Sequence, residues 1–513
     1  MSERMLGDYG ARQRGPTRAR RPRRRPSMSL TLAIALTVVG TILPGTGLIL
    51  AGLRRIGAVV LTVFALLVVA AAYLGATQQR AILHWAVQPE ALLVIGVVFP
   101  VIGIAWVAVI VGTYRAVQPQ NATVGERAIG AGLVMVLALV VLLPLAVGGR
   151  YAQVQKGLVE QVFASPGSKS ATRPKNVTRK DPWAGQDRVN VLLLGGDGGK
   201  GRIGIRPDSQ IVASIDTHTG ETVLFSLPRN LEKVPFPPDS PLAAAYPGGV
   251  YAGGGDQLEW MLNSIYENVP RQHPGLLDSD NPGADANKLA VGAALGLRID
   301  YYVLLNLNGF QKLIDALGGI TVNVNTRVAI GGAVDEGIKP KGWIYPGPDK
   351  HLDGYHALWF ARGRYGADDY QRMERQRCTM HAIIDQADPG KLLTRYEAIA
   401  QSSKNFVFTD IPGALLPAFV DLSMKVKEAD VTSIAFTNKI IHPWDPDYDL
   451  IQSMVRTALN QSAAAGSAGQ GDKPKADPTR TPKPSATSSP KPGDSSGAQE
   501  LTDACAYSPA GAG

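Results

Sequence analysis

The sequence predicts an α/β layered domain behind a helical membrane anchor, and three observations carry that expectation. Four apolar stretches, at about 30–53, 56–76, 91–114 and 128–148, are each long enough to cross a hydrocarbon core, which takes roughly 20 apolar residues. Between 188 and 460, β-rich runs alternate with segments of helical spacing, the mixture expected of a layered α/β fold. Segments of biased composition at 150–187 and 461–500 set that region off from its neighbours.

The chain begins with a basic tail. Residues 1–27 hold nine arginines against Glu3 and Asp8, so +7 of the formal net charge of +9 lies there. The remaining residues are close to neutral, which removes the charge argument for a nucleic-acid-binding protein. A basic tail beside an apolar run marks the cytoplasmic flank of a membrane protein. Four apolar stretches across the membrane region 28–149 also exclude a simple cleaved signal peptide. The first stretch is interrupted by "LPGTG" (Leu43–Gly47), a poor sequence for a clean span. A re-entrant or interfacial first segment, followed by three spans, leaves Arg54, Arg55, Arg115 and Arg127 in the cytoplasm. Everything after about residue 149 then lies outside the cell membrane.

The 150–187 segment reads as an extracytoplasmic linker, polar and rich in Pro, Ser, Gly and Lys from Ala164 onward. "RVNVLLLG" (188–195) suits a buried strand. "SQIVASID" and "ETVLFSLP" flank "THTG" as a hairpin would. "DQLEWMLNSIYE" (256–267) has helical spacing behind an Asp cap. "IDYYVLLNL", "NGFQKLIDALGG" and "ITVNVN" read as strand, helix and strand, with Gly318 and Gly319 as the helix stop. From 461 to 500 the Ala-, Ser-, Lys- and Pro-rich composition cannot bury a core and is expected to be disordered, leaving a short tail at 501–513.

Three places can carry chemistry. In "LLLGGDGGKGRIGIRPDSQIV" the glycines formally match GxGxxG, but no helical pattern follows, and Lys200 is followed by glycine rather than Ser or Thr. Dinucleotide and phosphate-loop readings both fail on that context. The segment is a flexible glycine turn, or else Asp197 and Asp208 hold a hard cation such as Mg²⁺, which takes one or two carboxylates plus phosphate oxygens. In "FSLPRN", Arg229 follows a strand, as a solvated tip, a structural ion pair or an anion ligand. The third place is "WFARGRYGADDYQRMERQR" (Trp359–Arg377). Asp368 or Asp369 can cap a helix from about 370 to 388, on which Arg372 and Gln376 share a face. Arg362 and Arg364 precede it and fall on one side if their segment is a strand. Arg375 is undecided between the two faces, while Glu374 and Arg377 fall on the solvated one. Such a stretch is a charge-laced surface or a convergent site for a polyoxyanion, since guanidinium forks bind phosphate bidentately. The two cysteines, Cys378 and Cys505, exclude a zinc cluster and a CxxC motif. Outside the membrane they can form a disulfide; otherwise Cys378 is a buried thiol and Cys505 incidental.

In order, "VNVLLLGGD", "RPDSQIV", "FSLPRN", "YYVLLNLNGFQKLIDALGGITVNV", "HLDGYHALWFARGR" and "DDYQRMERQR" resemble the LytR-CpsA-Psr family of cell-envelope glycopolymer phosphotransferases. The resemblance covers about residues 188–390 of a domain at 188–460. It implies a mixed central β-sheet flanked by helices. The implied activity is transfer of a glycan from a polyprenyl-pyrophosphate carrier to a peptidoglycan hydroxyl at the plasma membrane, forming a phosphodiester. Asp197 and Asp208 would hold Mg²⁺. Arg229, Arg362, Arg364 and Arg372 would bind the pyrophosphate, with Gln376, and on the undecided face Arg375, assisting. Asp369 would position an arginine or accept the hydroxyl proton. At "PLAAAYPGG" the chain has Pro241 and Ala243 where members often carry Lys and Asn. Leu258, Met261, Leu262, Ile265, Phe310 and Ile314 are expected in the core or in a groove for the lipid. Hydrolysis of the same pyrophosphate, or non-catalytic binding of lipid-linked intermediates as a wall-assembly scaffold, are the competing functions.

Overall fold

The computed structural model describes residues 29–119, 121–196, 205–334, 336–387, 407–469, 499–501 and 505–508. Its described residues form two compact units, one from residues up to 71 and 100–146, the other from 72–99 and 147 onward. The N-terminal region is helical: α1 (Leu30–Ile42), α2 (Thr46–Leu50), α3 (Arg54–Thr77), α4 (Gln79–Val87), α5 (Pro89–Val117) and α6 (Val124–Val162). Three of these, α3, α5 and α6, are long and apolar enough to cross a membrane. "LPGTG" divides the first apolar stretch. Gly45 takes φ 99° and lies so close to α3 that a Cβ there would fall 2.3 Å from the Gly57 carbonyl oxygen. At 13 residues, α1 is about 20 Å long, short of a hydrocarbon core of about 30 Å.

The second unit continues as β1 (Arg188–Gly196), β2 (Pro207–Asp216), β3 (Thr222–Leu227), β4 (Val234–Pro235), α7 (Pro241–Ala245), β5 (Val250–Tyr251), α8 (Ile265–Gln272), α9 (Pro282–Leu295), β6 (Tyr301–Asn306) and α10 (Leu307–Leu317). Then come β7 (Ile320–Val324), β8 (Val328–Ile330), β9 (Gly342–Ile344), β10 (Gly347–Leu352), α11 (Gly354–Arg362), α12 (Asp369–Gln386), β11 (Val407–Thr409), α13 (Leu416–Glu428), β12 (Val431–Ala435), α14 (Tyr448–Gly469) and β13 (Gln499–Glu500). Seven strands form a mixed sheet in the order β11-β6-β1-β2-β3-β12-β13. Its centre pairs β1 parallel to β6 and antiparallel to β2.

The apolar run of β1 is explained by its two covered faces. Leu192 and Leu194 point into a core with Val212, Phe225, Ala290 of α9 and Val455 of α14. Leu193, one residue out of phase, faces the opposite layer with Ile211, Ala213 and Met380 of α12. The expected β2–β3 hairpin forms, its turn held by Asp216 Oδ1 accepting from the His218 and Thr219 amides. Helix α10 stops at Gly318, φ 93°. The strand after it, however, leaves the main sheet and pairs with β10. The segment 256–267 is not one helix: Asp256 caps a 3₁₀ turn, Met261 is extended, and α8 starts at Ile265.

Where they are described, both expected linkers differ from their reading. Helix α6 runs on to Val162, and the polar residues after it are seated on the domain. Ser170 Oγ meets Asp285 and Asp410, the Ala171 amide donates to Asp285 at 2.6 Å, and Ala164 bridges to Pro412. These anchors converge on Lys288, fully buried between Asp285 (2.7 Å) and Asp410 (2.5 Å). Within 461–500, residues to Gly469 extend α14 and Gln499–Glu500 add β13 to the sheet edge, whereas 470–498 lie outside the described residues. Alanines at 463–465 favour continuing α14, and contacts with distant carboxylates, which composition does not show, seat the segment after α6.

Cys378 on α12 is bonded to Cys505, 127 residues away, with the Cα atoms 5.4 Å apart. Leu501, 1% exposed, sits in the layer with Met380 and Ile384, and Asn323 Nδ2 donates to the Cys505 carbonyl. The tail is thus tied to β12, α12 and β7 together. Cys505→Ser should lower unfolding free energy by about 2–4 kcal/mol, the usual worth of a disulfide closing a long loop. Denaturant titration under non-reducing conditions checks this; a midpoint matching the native chain would refute it.

Candidate active site

The site is assembled where β1 and β2 meet and where β3, α11 and α12 end or begin. Asp208 is the second residue of β2, opposite an irregularity in β1 at Gly195/Gly196. Pro228 follows β3 and releases the chain into Arg229. Asp353 caps α11 through the His356 amide, so "LWFAR" is helix, not strand. Arg362 is therefore the last residue of α11, and Arg364 lies in the loop after it. Asp368 caps α12 by accepting from the Gln371 amide at 2.7 Å, which places Asp369 in the first turn, where a helix favours negative charge.

These elements bring the guanidiniums around two carboxylates. Arg229 reaches Asp208 Oδ1 through Nη1 at 2.7 Å and Asp369 Oδ2 through Nε at 3.1 Å. Arg372 and Arg364 approach Asp369 Oδ1 at 3.3 and 3.4 Å. Arg372 is only 2% exposed, donates to the Asp208 carbonyl, and keeps a buried Nε without a hydrogen-bond partner. Arg362 and Gln376 line a cavity together with Asp208, and the Arg362 guanidinium lies 5.2 Å from the Trp359 ring centroid. Four guanidiniums against two carboxylates leave the cluster net positive, suited to a polyoxyanion.

Burial alone would raise the Asp369 carboxyl. Arg372 and Arg229, with Arg364 beside them, outweigh it and hold the group below its ordinary value of 3.8. A lowered carboxylate contributes stability above its unfolded pKa and loses it only as pH falls through the lowered one. The pH–rate profile should therefore show no acid limb from Asp369 between pH 8 and about 5; a limb centred above about 5 would contradict this. For Arg229, burial lowers the guanidinium pKa, but Asp208 and Asp369 prevail and raise it.

Two arginines differ from their expected places. Arg375 does not join the site: its Nε donates to the Phe360 carbonyl at 2.7 Å and its Nη2 to the Gly363 carbonyl. It caps the C-terminal end of α11, and burial, then the neighbouring Arg372, lowers it to about 10. Arg377 is half-buried and donates to Ser433 Oγ of β12, whereas Glu374 is exposed as expected. Asp197 lies outside the described residues. No group of three or more His, Cys, Asp or Glu side chains gathers among the described residues. With Asp208 Oδ1 already engaged by Arg229, this donor set suits only a cation completed largely by phosphate or water oxygens.

Behind the cluster, between the sheet and α12, runs an apolar channel whose walls, Phe310 apart, sequence reasoning missed. An apolar cavity of about 200 Å³ begins at Asp208, Arg362 and Gln376 and is walled by Leu193, Val303, Phe310, Leu358, Met380 and Ile383. Four of these (Leu193, Val303, Met380 and Ile383) also wall a second cavity of about 530 Å³ that reaches Phe419 of α13, Phe163 and Val87. Met380, Ile383 and Ile384 form an i, i+3, i+4 stripe on α12, the one signal the sequence offered. Of the residues expected in a groove, Phe310 lines the channel, Leu262, Ile265 and Ile314 are fully buried core, Met261 is partly buried, and Leu258 is exposed.

A profile described as the LytR_cpsA_psr family matches residues 159–462. The chain belongs to that family. Among its LytR-CpsA-Psr relatives is a protein of Oceanobacillus iheyensis named polyisoprenyl-teichoic acid–peptidoglycan teichoic acid transferase TagU. It is 30% identical over 277 residues, 53% of this chain and 75% of that one. TagV of Bacillus subtilis, of the corresponding name, is 25% identical over 286 residues, 54% of this chain and 63% of the relative. The crystal structure of B. subtilis TagV aligns at 23% identity with a TM-score of 0.38, covering 54% of this chain and 98% of that one.

Proposed function

We propose that this LytR-CpsA-Psr transferase moves a glycopolymer from a polyprenyl-pyrophosphate carrier to a peptidoglycan hydroxyl, forming a phosphodiester. The observation that carries the reading is the net-positive guanidinium cluster at the mouth of an apolar channel: one ligand with a pyrophosphate head and a polyprenyl tail matches both. The tail occupies the channel, and Arg229, Arg362, Arg364 and Arg372 bind the phosphate oxygens with Gln376 beside them. The acceptor hydroxyl oxygen bonds to the phosphorus bearing the glycan, and its proton passes to the departing polyprenyl phosphate or to water. The bond from that phosphorus to the bridging oxygen breaks, and polyprenyl phosphate leaves. Its developing charge is met by cations already in place, which is the main catalytic requirement of phosphoryl transfer. The depressed pKa of Asp369 suits it to orienting three arginines rather than to retaining a proton. Mg²⁺ held by Asp208, with Asp197 and phosphate oxygens, would neutralise further charge.

The domain is placed outside the plasma membrane in this reading. The Cys378–Cys505 pair suits an oxidising compartment. Contact of His84 of α4 with Asp421 of α13 at 2.9 Å supports an α3–α5 connection on the domain's side; in this reading Arg115 and Arg127 are cytoplasmic. Three crossings, α3, α5 and α6, then suffice, with α1 and α2 re-entrant.

The experiment uses the full chain in lipid nanodiscs with a polyprenyl-pyrophosphate-linked glycan, peptidoglycan and Mg²⁺. Arg362→Ala should abolish formation of the linked product without changing the thermal midpoint. Normal product formation by that variant would remove the proposal's basis.

A further inference from the structure

The β8–β9 hairpin is anchored at its base and apolar at its outer end. Val328, Ile330 and Ile344 are buried in the core beside α11, while Val334 and Ile338 at the turn end are 60% and 51% exposed, and Tyr345, next to Ile344 at the base, is 66% exposed. Trp343 is half-exposed; the Arg327 guanidinium lies 4.6 Å from its ring centroid, and Tyr365 meets it edge-on at 6.2 Å. Concentrations of exposed apolar side chains in a folded domain mark interaction sites.

The hairpin is built onto the loop that carries the cluster. A Cβ at Gly363 would fall 2.8 Å from the Ala329 carbonyl oxygen, and one at Gly332 would fall 2.8 Å from the Tyr365 ring. Arg362 faces the channel, Gly363 touches the hairpin, Arg364 reaches Asp369, and Tyr365 meets Trp343. The aromatic residues thus adjoin the loop that carries Arg362 and Arg364.

We propose that Trp343, Tyr345 and Tyr365 form a platform for the acceptor glycan strand of peptidoglycan; this rests on reading the guanidinium cluster as the phosphoryl-transfer site. In-line displacement places the incoming oxygen opposite the leaving one. The leaving polyprenyl phosphate points into the channel, so the acceptor enters from outside it, beside the loop on which the hairpin packs. Pyranose rings present C–H faces that pack on rigid aromatic rings, and their hydroxyls find donors in Arg327 and Lys341. Tyr and Trp supply such amphipathic contact at low entropic cost. A membrane surface is the poorer occupant: the hairpin sequence "VDEG" carries two carboxylates, unfavourable beside anionic lipid.

The test measures KM for peptidoglycan fragments and for the lipid-linked donor separately, using the full chain in nanodiscs. Tyr345→Ser combined with Trp343→Ala should raise the acceptor KM about tenfold or more and leave the donor KM unchanged, with Trp343→Phe restoring most of the loss. Because Tyr345 is exposed, Tyr345→Ser alone should reproduce part of the effect in a normally folded chain. An unchanged acceptor KM, an equal rise in donor KM, or lost binding to anionic phospholipid vesicles in place of peptidoglycan would overturn the platform. Transfer that survives Arg362→Ala sinks the underlying site instead.

Discussion

Arg229→Ala should lower transfer roughly a thousandfold, the scale at which arginines serve phosphoryl transfer, or about 4 kcal/mol of barrier. Arg229 is the residue that joins the two carboxylates, bonding Asp208 at 2.7 Å and Asp369 at 3.1 Å through different nitrogens. Its loss removes a cation from the pyrophosphate and leaves both carboxylates facing the anion. Arg229→Lys should recover little, because one ammonium cannot reproduce the two-armed geometry of Nη1 and Nε. Single-turnover rates with a lipid-linked donor check this, with the thermal midpoint as the folding control. A rate within about threefold of the native chain would show that the cluster is an ordinary surface network.

Lys288→Met should cost about 3–5 kcal/mol of stability, the penalty for breaking a buried charge pair from one side. Lys288 is 1% exposed and bonds Asp285, Asp410 and Ser170 Oγ. Both carboxylates have further duties, since Asp410 accepts from the Tyr302 amide and Asp285 from the Ala171 amide. Removing the ammonium leaves two buried carboxylates without their shared cation and loosens the segment from α6 into the domain. Chemical denaturation measures the loss; a cost below about 1 kcal/mol, the range of an exposed pair, would contradict the account.

Elements whose cause is local were legible in the sequence. The β1 run, the β2–β3 turn, the Gly318 stop of α10 and the Asp368 cap of α12 each follow from a few neighbouring residues. Arg372 and Gln376 also follow, because helical spacing puts them on one face. Arg375 was not legible, since its acceptors are the carbonyls of Phe360 and Gly363, on the preceding helix and loop. Nothing in the spacing separates a guanidinium capping a helix from one facing an anion. "LWFARGR" misled for a related reason: the Asp353 cap that starts its helix lies five residues before Leu358. The channel was hidden because its walls come from β1, β6, α10, α11 and α12, and no single window of sequence contains them. The polar segment after α6 read as a linker because composition does not show that Ser170 and Ala171 meet two buried carboxylates from distant elements.

The central claim is that the phosphate next to the glycan passes to peptidoglycan while polyprenyl phosphate leaves. A donor isotopically labelled in that phosphate, given to the full chain in nanodiscs with peptidoglycan, tests it directly. The expected result is label in the peptidoglycan, in a phosphodiester, with unlabelled polyprenyl phosphate released in equal amount. Label recovered as free glycan phosphate, or retained on the lipid, would contradict transfer.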